Sequence, residues 1–336
     1  MLNVGIAGLG RMGQRHAEQL ALHTHGARLV AACSVDAGEH TWARERLGVT
    51  ALYDSYDALL RDPQVQAIAI ATPTTLHPQQ TIAALEAGKH VFVEKPLALD
   101  VVSCERVEAV ASQHPELVAM VGFVRRFDAS YQEAKAQIDA GRIGRPFLVR
   151  SQTCDKNDPD GFFVRFAPTS GGIFMDCSVH DIDVARWMLG SPQALRVFAS
   201  GTIVLHPGLA DCGDVDNGLA IVEFEGGARA QFYASRTQAH GNDISTEVIG
   251  TAGSVSVGDG ARRDRVQSRD ADGVHHHVVA DFIERFDDAF QRELAAFVAA
   301  CRGEAPVPLA LADATEATRI GVAITRSLHS GQVEAV

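Results

Sequence analysis

Lys95, Asp176 and His180 are the residues of this chain whose types and spacing best suit acid–base work. The last two fall in GGIFMDCSVHDIDVARW, residues 171–187, where Ile173, Val179, Ile182, Val184 and Trp187 supply an apolar face. That pattern predicts one helix entered through Gly171-Gly172. On such a helix Asp176 and His180 stand at i and i+4, as neighbours. A carboxylate beside an imidazole orients it as a general base and stabilises its protonated form. A histidine alone is more often a hydrogen-bonded core residue; the aspartate one turn away and Lys95 earlier in the chain reverse that order. Lys95 follows the strand-like HVFVE and would stabilise negative charge on an oxygen that loses its proton. Asp181 and Asp183 point away from the face of Asp176 and His180, and His275-His276-His277 would alternate across a strand. Neither group supplies the three or four convergent ligands of a metal site, so no metal is expected.

The elements that must carry these groups begin at residue 2. Leu2, Val4 and Ile6 alternate as a strand, Gly8-Leu9-Gly10-Arg11-Met12-Gly13 follows, and a helical pattern continues through Ala17 and Leu20. This is G-x-G-x-x-G between a strand and a helix: a tight turn at Gly8, close approach of a pyrophosphate at Gly10, close helix packing at Gly13. Asp36, 23 residues beyond Gly13, stands near the position of a ribose-binding acid and would favour NAD over NADP. Arg44 and Arg46 keep dual use open. Six strands alternating with helices are expected over residues 1–122, a Rossmann-type doubly wound parallel sheet. Thr72-Pro73-Thr74, with His77 opening the next helix, and Glu94-Lys95-Pro96 occupy the carboxyl ends of the fourth and fifth strands, where such sheets bind ligands.

Residues 123–336 are expected to form an α+β domain. A helix ends at Gly141, RPFLVRSQTC reads as a strand, and LAIVEFEGGARAQFYAS reads as an antiparallel hairpin about Gly226-Gly227. DISTEVIG and GSVSV add strands, and helices near 284–302 and 311–328 close the chain. The result is a large open, mostly antiparallel sheet with helices on one face, whose other face is expected to pair with a second subunit in a dimer or tetramer. CDKNDPDGFFVRF, residues 154–166, reads equally as a polyol-binding loop or as a solvated turn.

Composition narrows the partners. The 336 residues carry a net charge of -12 with no basic run, which argues against nucleic acid and against an anionic membrane surface. No apolar run approaches the ~20 residues of a membrane span. Six scattered cysteines lack any C-x-x-C pair, and the chain opens directly on a strand, so a soluble cytoplasmic protein is expected.

IATPTTLHPQQTIAALEAGKHVFVEKPLALD, the glycine motif and the D-x-x-x-H run together resemble the Gfo/Idh/MocA family, over nearly the whole chain. The resemblance implies oxidation of a secondary hydroxyl of a cyclitol or sugar with NAD, inositol 2-dehydrogenase first, with an aldose or anhydrosugar dehydrogenase or a non-catalytic dinucleotide sensor as alternatives. Lys95, Asp176 and His180 match the family's catalytic positions. Gly8, Gly10, Arg11, Met12, Gly13, Asp36, Thr72, Pro73, Thr74, His77, Glu94 and Lys95 are assigned to the cofactor. Lys95, Arg125, Asp155, Asn157, Asp176, His180 and Asn242 are assigned to the substrate. Asn242 departs from the tyrosine that inositol dehydrogenases of the family tend to have there.

Overall fold

The computed structural model describes residues 1–258 and 262–336, which divide into two units, 1–127 with 288–318 and 128–287 with 319–336. The first holds β1 (Leu2–Ala7), α1 (Arg11–Glu18), β2 (Ala27–Cys33), α2 (Ala37–Leu47), β3 (Ala51–Tyr53), α3 (Tyr56–Arg61), β4 (Ala67–Ile70), α4 (His77–Glu86), β5 (His90–Glu94), α5 (Val101–Ala111) and β6 (Ala119–Gly122). All pairings are parallel, in the order β3-β2-β1-β4-β5-β6. The central strands are apolar on both faces, as sheets covered on two sides require; every residue of β4 is buried. Strand order reverses between β1 and β4, which opens a crevice at their carboxyl ends, the binding position of doubly wound sheets.

The second unit begins with α6 (Ala129–Asp139), β7 (Pro146–Lys156), α7 (Phe162–Ser170), α8 (Ile173–Asp176) and α9 (Val179–Leu189). β8 (Ala194–Thr202), β9 (Asn217–Phe224), β10 (Arg229–Gln238), β11 (Asp243–Gly250) and β12 (Gly253–Val257) follow, then the ribbon of β13 (Arg262–Asp270) and β14 (Gly273–Val278). The chain closes with α10 (Phe282–Arg285), α11 (Asp287–Cys301), α12 (Leu311–Ser330) and β15 (Glu334–Ala335). The large sheet runs β12-β11-β7-β10-β9-β8-β15, antiparallel except for β7 against β10. Ala230, Phe232 and Ala234 of β10 face inward with Ala220 and Val222 of β9, against Phe174, Ile182 and Ala185 of the helical side.

Two expectations are corrected. The sequence reading gave everything after residue 122 to one domain, yet residues 288–318 cluster with the first unit. Their apolar stripe explains it: Phe290 and Phe297 of α11 meet the rings of His16 and Phe92 at 5.7 and 5.8 Å. Periodicity announces that a helix face is buried but not what covers it.

The single helix expected over 171–187 is also broken. Cys177 donates its amide to Ile173 in helical fashion, but Ser178 donates to the same carbonyl, a π-type slip, before α9 resumes at Val179. Asp176 and His180 therefore stand on either side of a turn rather than on one uninterrupted face. Among the described residues, no helix is long and apolar enough to cross a membrane.

Candidate active site

The glycine turn of the first unit is shaped for close approach. Gly8 has φ +86°, and a Cβ there would lie 2.6 Å from the Ala71 carbonyl oxygen; one at Gly13 would lie 2.0 Å from that of Gly8. A Cβ at Gly10 would meet nothing within 4 Å, so the amide end of α1, which has no side-chain cap, faces open space. An uncapped helix end beside an open glycine fits a dinucleotide pyrophosphate. Arg11 is exposed and Met12 half-buried at the start of that helix. Asp36 is exposed three residues beyond β2 and caps α2: its Oδ1 accepts from the amides of Gly38 at 2.6 Å and Glu39 at 3.1 Å.

The strand ends near Lys95 are fastened from below. His77 is buried, with Nδ1 2.9 Å from the Pro96 carbonyl and Nε2 2.9 Å from that of Thr72. Its ring thus ties the 72–74 turn to the 94–96 loop instead of offering itself to a ligand. Thr72 donates to Gln80, while Pro73 is exposed and Thr74 half-buried. Glu94, assigned to the cofactor from sequence, turns inward: its carboxylate lies 2.5 Å from Nε2 of the buried His16 and accepts the Lys95 amide at 3.0 Å. Burial alone would raise its pKa; the His16 hydrogen bond and the charges of His16 and Lys95 bring it below the ordinary range. Lys95 itself is half-buried, and Arg125 is almost wholly buried in the short 3-10 turn that ends this part of the unit.

In the second unit Asp176, half-buried, accepts from Nη2 of Arg236 at 3.3 Å. Arg236 is fully buried at the end of β10 and continues the inward set Ala230, Phe232, Ala234. Its Nη1 donates to Asp214 at 2.7 Å, and Oδ1 of Asp214 accepts the amide of Ile173 at 2.9 Å, fixing the start of α8. Gly172, with φ +85°, leaves room for that carboxylate, since a Cβ would stand 3.2 Å from it. His180 is half-buried in the first turn of α9. The next residue, Asp181, is fully buried and turned to β7, accepting from Ser151 and Thr153 hydroxyls, each at 2.6 Å.

Asp155, near the end of β7, approaches Asp176 through Cys177; Asn157 follows that strand and Asn242 precedes its neighbour β11. Asn242 donates to Asp155 at 2.9 Å, and the amide oxygens of Asn157 and Asn242 are buried with no hydrogen-bond partner among the described residues. A buried amide oxygen without a partner calls for a donor, such as a ligand's hydroxyl or an ordered water. Cys177 lies 3.7 Å from both Asp155 and Asp176. Among the described residues, no group of three or more His, Cys, Asp or Glu is arranged to hold a metal. Arg236 and Asp214 escaped the sequence reading, although an arginine in phase with Ala230, Phe232 and Ala234 is a signal in itself: a charge on an apolar strand face needs a partner.

Residues 2–123 match a family profile described as an oxidoreductase family with an NAD-binding Rossmann fold, and residues 131–256 match the GFO/IDH/MocA C-terminal domain. Over 329 residues the chain is 39% identical to scyllo-inositol 2-dehydrogenase (NAD(+)) of Bacillus subtilis, covering 97% of this chain and 94% of that protein. The chain belongs to the Gfo/Idh/MocA family. Another member, myo-inositol 2-dehydrogenase of Thermotoga maritima, is 32% identical, with 98% and 96% covered. The Gfo/Idh/MocA chain also superposes on scyllo-inositol dehydrogenase from Lactobacillus casei with bound NAD(H) and scyllo-inositol, at a TM-score of 0.96, 36% identity, and 100% and 99% coverage.

Proposed function

We propose that this chain oxidises a ring secondary hydroxyl of a cyclitol with NAD, as an inositol 2-dehydrogenase. The observation that carries the reading is the hydrogen bond of Asn242 to Asp155 beside two buried amide oxygens, those of Asn157 and Asn242, that lack a partner among the described residues, in the unit that also holds Asp176 and His180. The similarity to inositol dehydrogenases over nearly the full length supports it.

His180 accepts the proton of the reacting hydroxyl, and Asp176, fixed by Arg236, stabilises the imidazolium that results. Lys95 is assigned the stabilisation of alkoxide charge, its backbone held by Glu94. Gly8, Gly10, Gly13 and Asp36 would hold the dinucleotide, whose nicotinamide would supply the hydride acceptor. Arg125, Asp155, Asn157 and Asn242 are assigned to the remaining hydroxyls. NADH formation with a panel of inositols and aldoses tests this: turnover is expected with scyllo- or myo-inositol. Activity confined to aldoses would replace the reading with a sugar dehydrogenase, and dinucleotide binding without any turnover would favour a sensor.

We infer further a cytoplasmic homo-oligomer, a dimer or tetramer, joined through the uncovered face of the large sheet. Phe198 and Ile221 sit opposite each other there with Leu219, exposed by 42%, 51% and 51%. All six cysteines are free, as suits a reducing compartment. Ile221→Asp is expected to lower the molar mass measured by light scattering; an unchanged mass would count against this interface.

A further inference from the structure

We propose that Arg236 is a positioning residue for the acid–base pair, holding Asp176 in place and offsetting its charge so that His180 stays unprotonated and ready to act as base near neutral pH. The inference rests on the reading of Asp176 and His180 given above and concerns a residue outside it. Arg236 is fully buried, and a buried guanidinium is costly unless carboxylates meet it. Two do: Asp214 at 2.7 Å and Asp176 at 3.3 Å, one on each terminal nitrogen. Its backbone is pinned as well, the amide donating to the Asp216 carbonyl at 2.8 Å, and the Phe163 ring lies 5.4 Å beneath the guanidinium.

The chain of contacts has a direction. Asp214 is anchored on the amide of Ile173, Arg236 is anchored on Asp214, and Asp176 receives the remaining nitrogen. One end of α8 is thereby tied through Arg236 to the carboxylate at its other end. A lysine is a point charge on one nitrogen and lacks the fork that sets a separate nitrogen on each acid.

Asp176 is met by the Arg236 guanidinium, which Asp214 shares, and Cys177 lies 3.7 Å from both Asp176 and Asp155. Without that cation, the charge of Asp176, one turn before His180, would be offset less and would favour the protonated imidazole, which cannot accept a proton. Burial alone would weaken the hold of Arg236 on its proton, but Cys177, Asp176 and Asp214 reverse this and keep it charged.

The test follows the imidazole directly. In protein carrying isotope-labelled histidine, the His180 signal is assigned by its loss in His180→Ala, and its titration is compared among variants beside the pH profile of kcat. Arg236→Met should raise the His180 pKa, and with it the acidic limb of kcat, by roughly one unit, and lower kcat roughly ten- to a hundredfold. Arg236→Lys should return the titration to the parent's position, because the charge is restored, while recovering kcat only in part. Asp214→Asn should move the titration the opposite way, downward, because it leaves the cation less neutralised. A role confined to stability would lower activity at every pH without moving the imidazole. Should Arg236→Met fail to fold, the downward shift in Asp214→Asn carries the test. An imidazole that titrates in the parent's position in these variants overturns the proposal and leaves the dehydrogenase reading standing. A parent that oxidises no polyol overturns that reading, while the titration still decides the electrostatic role of Arg236.

Discussion

The carboxylate of Glu94 meets the imidazole of His16 at 2.5 Å, across 78 residues of sequence and wholly inside the first unit. The same carboxylate takes the Lys95 amide, so the residue that sets the backbone of the lysine is itself set by the helix of the glycine motif.

His16→Ala would leave Glu94 buried with its main partner gone. Breaking a buried pair this way costs about 3 kcal/mol, to be read as a fall in urea-unfolding free energy. There is also a pH signature. Because the folded pKa of Glu94 is depressed, its contribution is present above the ordinary carboxylate range and lost as pH falls through the folded value. Without His16 that depression disappears, and the acid-unfolding midpoint should move to higher pH. A variant as stable as the parent down the whole acid limb would contradict this.

Glu293 of α11 has the opposite sign. It is fully buried, neither carboxyl oxygen has a hydrogen-bond partner among the described residues, and burial together with the Glu94 charge pushes its pKa well above the ordinary range. Both causes favour the protonated form in the fold. The unfolded chain releases that proton at the ordinary pKa, so stability falls as pH rises from there toward the folded value. Glu293→Gln has the shape of the protonated acid and no proton to lose. Its melting temperature should exceed the parent's by a margin that widens as pH rises above the ordinary carboxylate range. A margin constant with pH would mean that the parent's Glu293 is ionised in the fold.

What the sequence made legible is what chemistry is local. Gly8, Gly10 and Gly13 could be read because a strand, three small residues and a helix within one short stretch have a single mechanical use. The parallel sheet followed from strands alternating with helices. The contacts that escaped join distant residues: His16 with Glu94, Arg236 with Asp176 across 60 residues, α11 with the first sheet. The broken helix at Cys177-Ser178 escaped for another reason. Its apolar spacing survives a one-residue slip closely enough that periodicity alone does not reveal it.

Asp36 has two duties that one substitution would confuse and two would separate. Asp36→Ala removes the cap of α2, worth about 1 kcal/mol, and the negative charge expected to repel a 2′-phosphate. Asp36→Asn keeps an oxygen for the Gly38 and Glu39 amides and removes only the charge. The alanine variant should lose both stability and the preference for NAD; the asparagine variant should regain stability alone. Comparison of melting temperature with kcat/KM for NAD and NADP decides it. A parent that favours NADP would show that Asp36 is only a cap.

Asp181 gives the last prediction, because it joins the helix of His180 to the sheet. It is fully buried and accepts two hydroxyls of β7, Ser151 and Thr153; Ser151 in turn lies 2.7 Å from the Thr246 hydroxyl, which lies 3.0 Å from that of Tyr131. Deleting the carboxylate removes the acceptor that Ser151 and Thr153 share inside a buried site. Asp181→Ala should cost about 2 to 3 kcal/mol, the penalty for orphaning buried polar groups beside a charged acceptor. Asn keeps one acceptor oxygen and should fall between. The first turn of α9 carries His180 immediately before Asp181, so loosening this anchor misplaces the base. A displacement of about 1 Å is enough to lower kcat by roughly a hundredfold. NAD affinity should stay near the parent's, since the glycine turn and Asp36 belong to the other unit. The expected order in both stability and kcat is parent, Asn, Ala. An alanine variant that melts with the parent and keeps its kcat would mean that α9 is held by its apolar face alone.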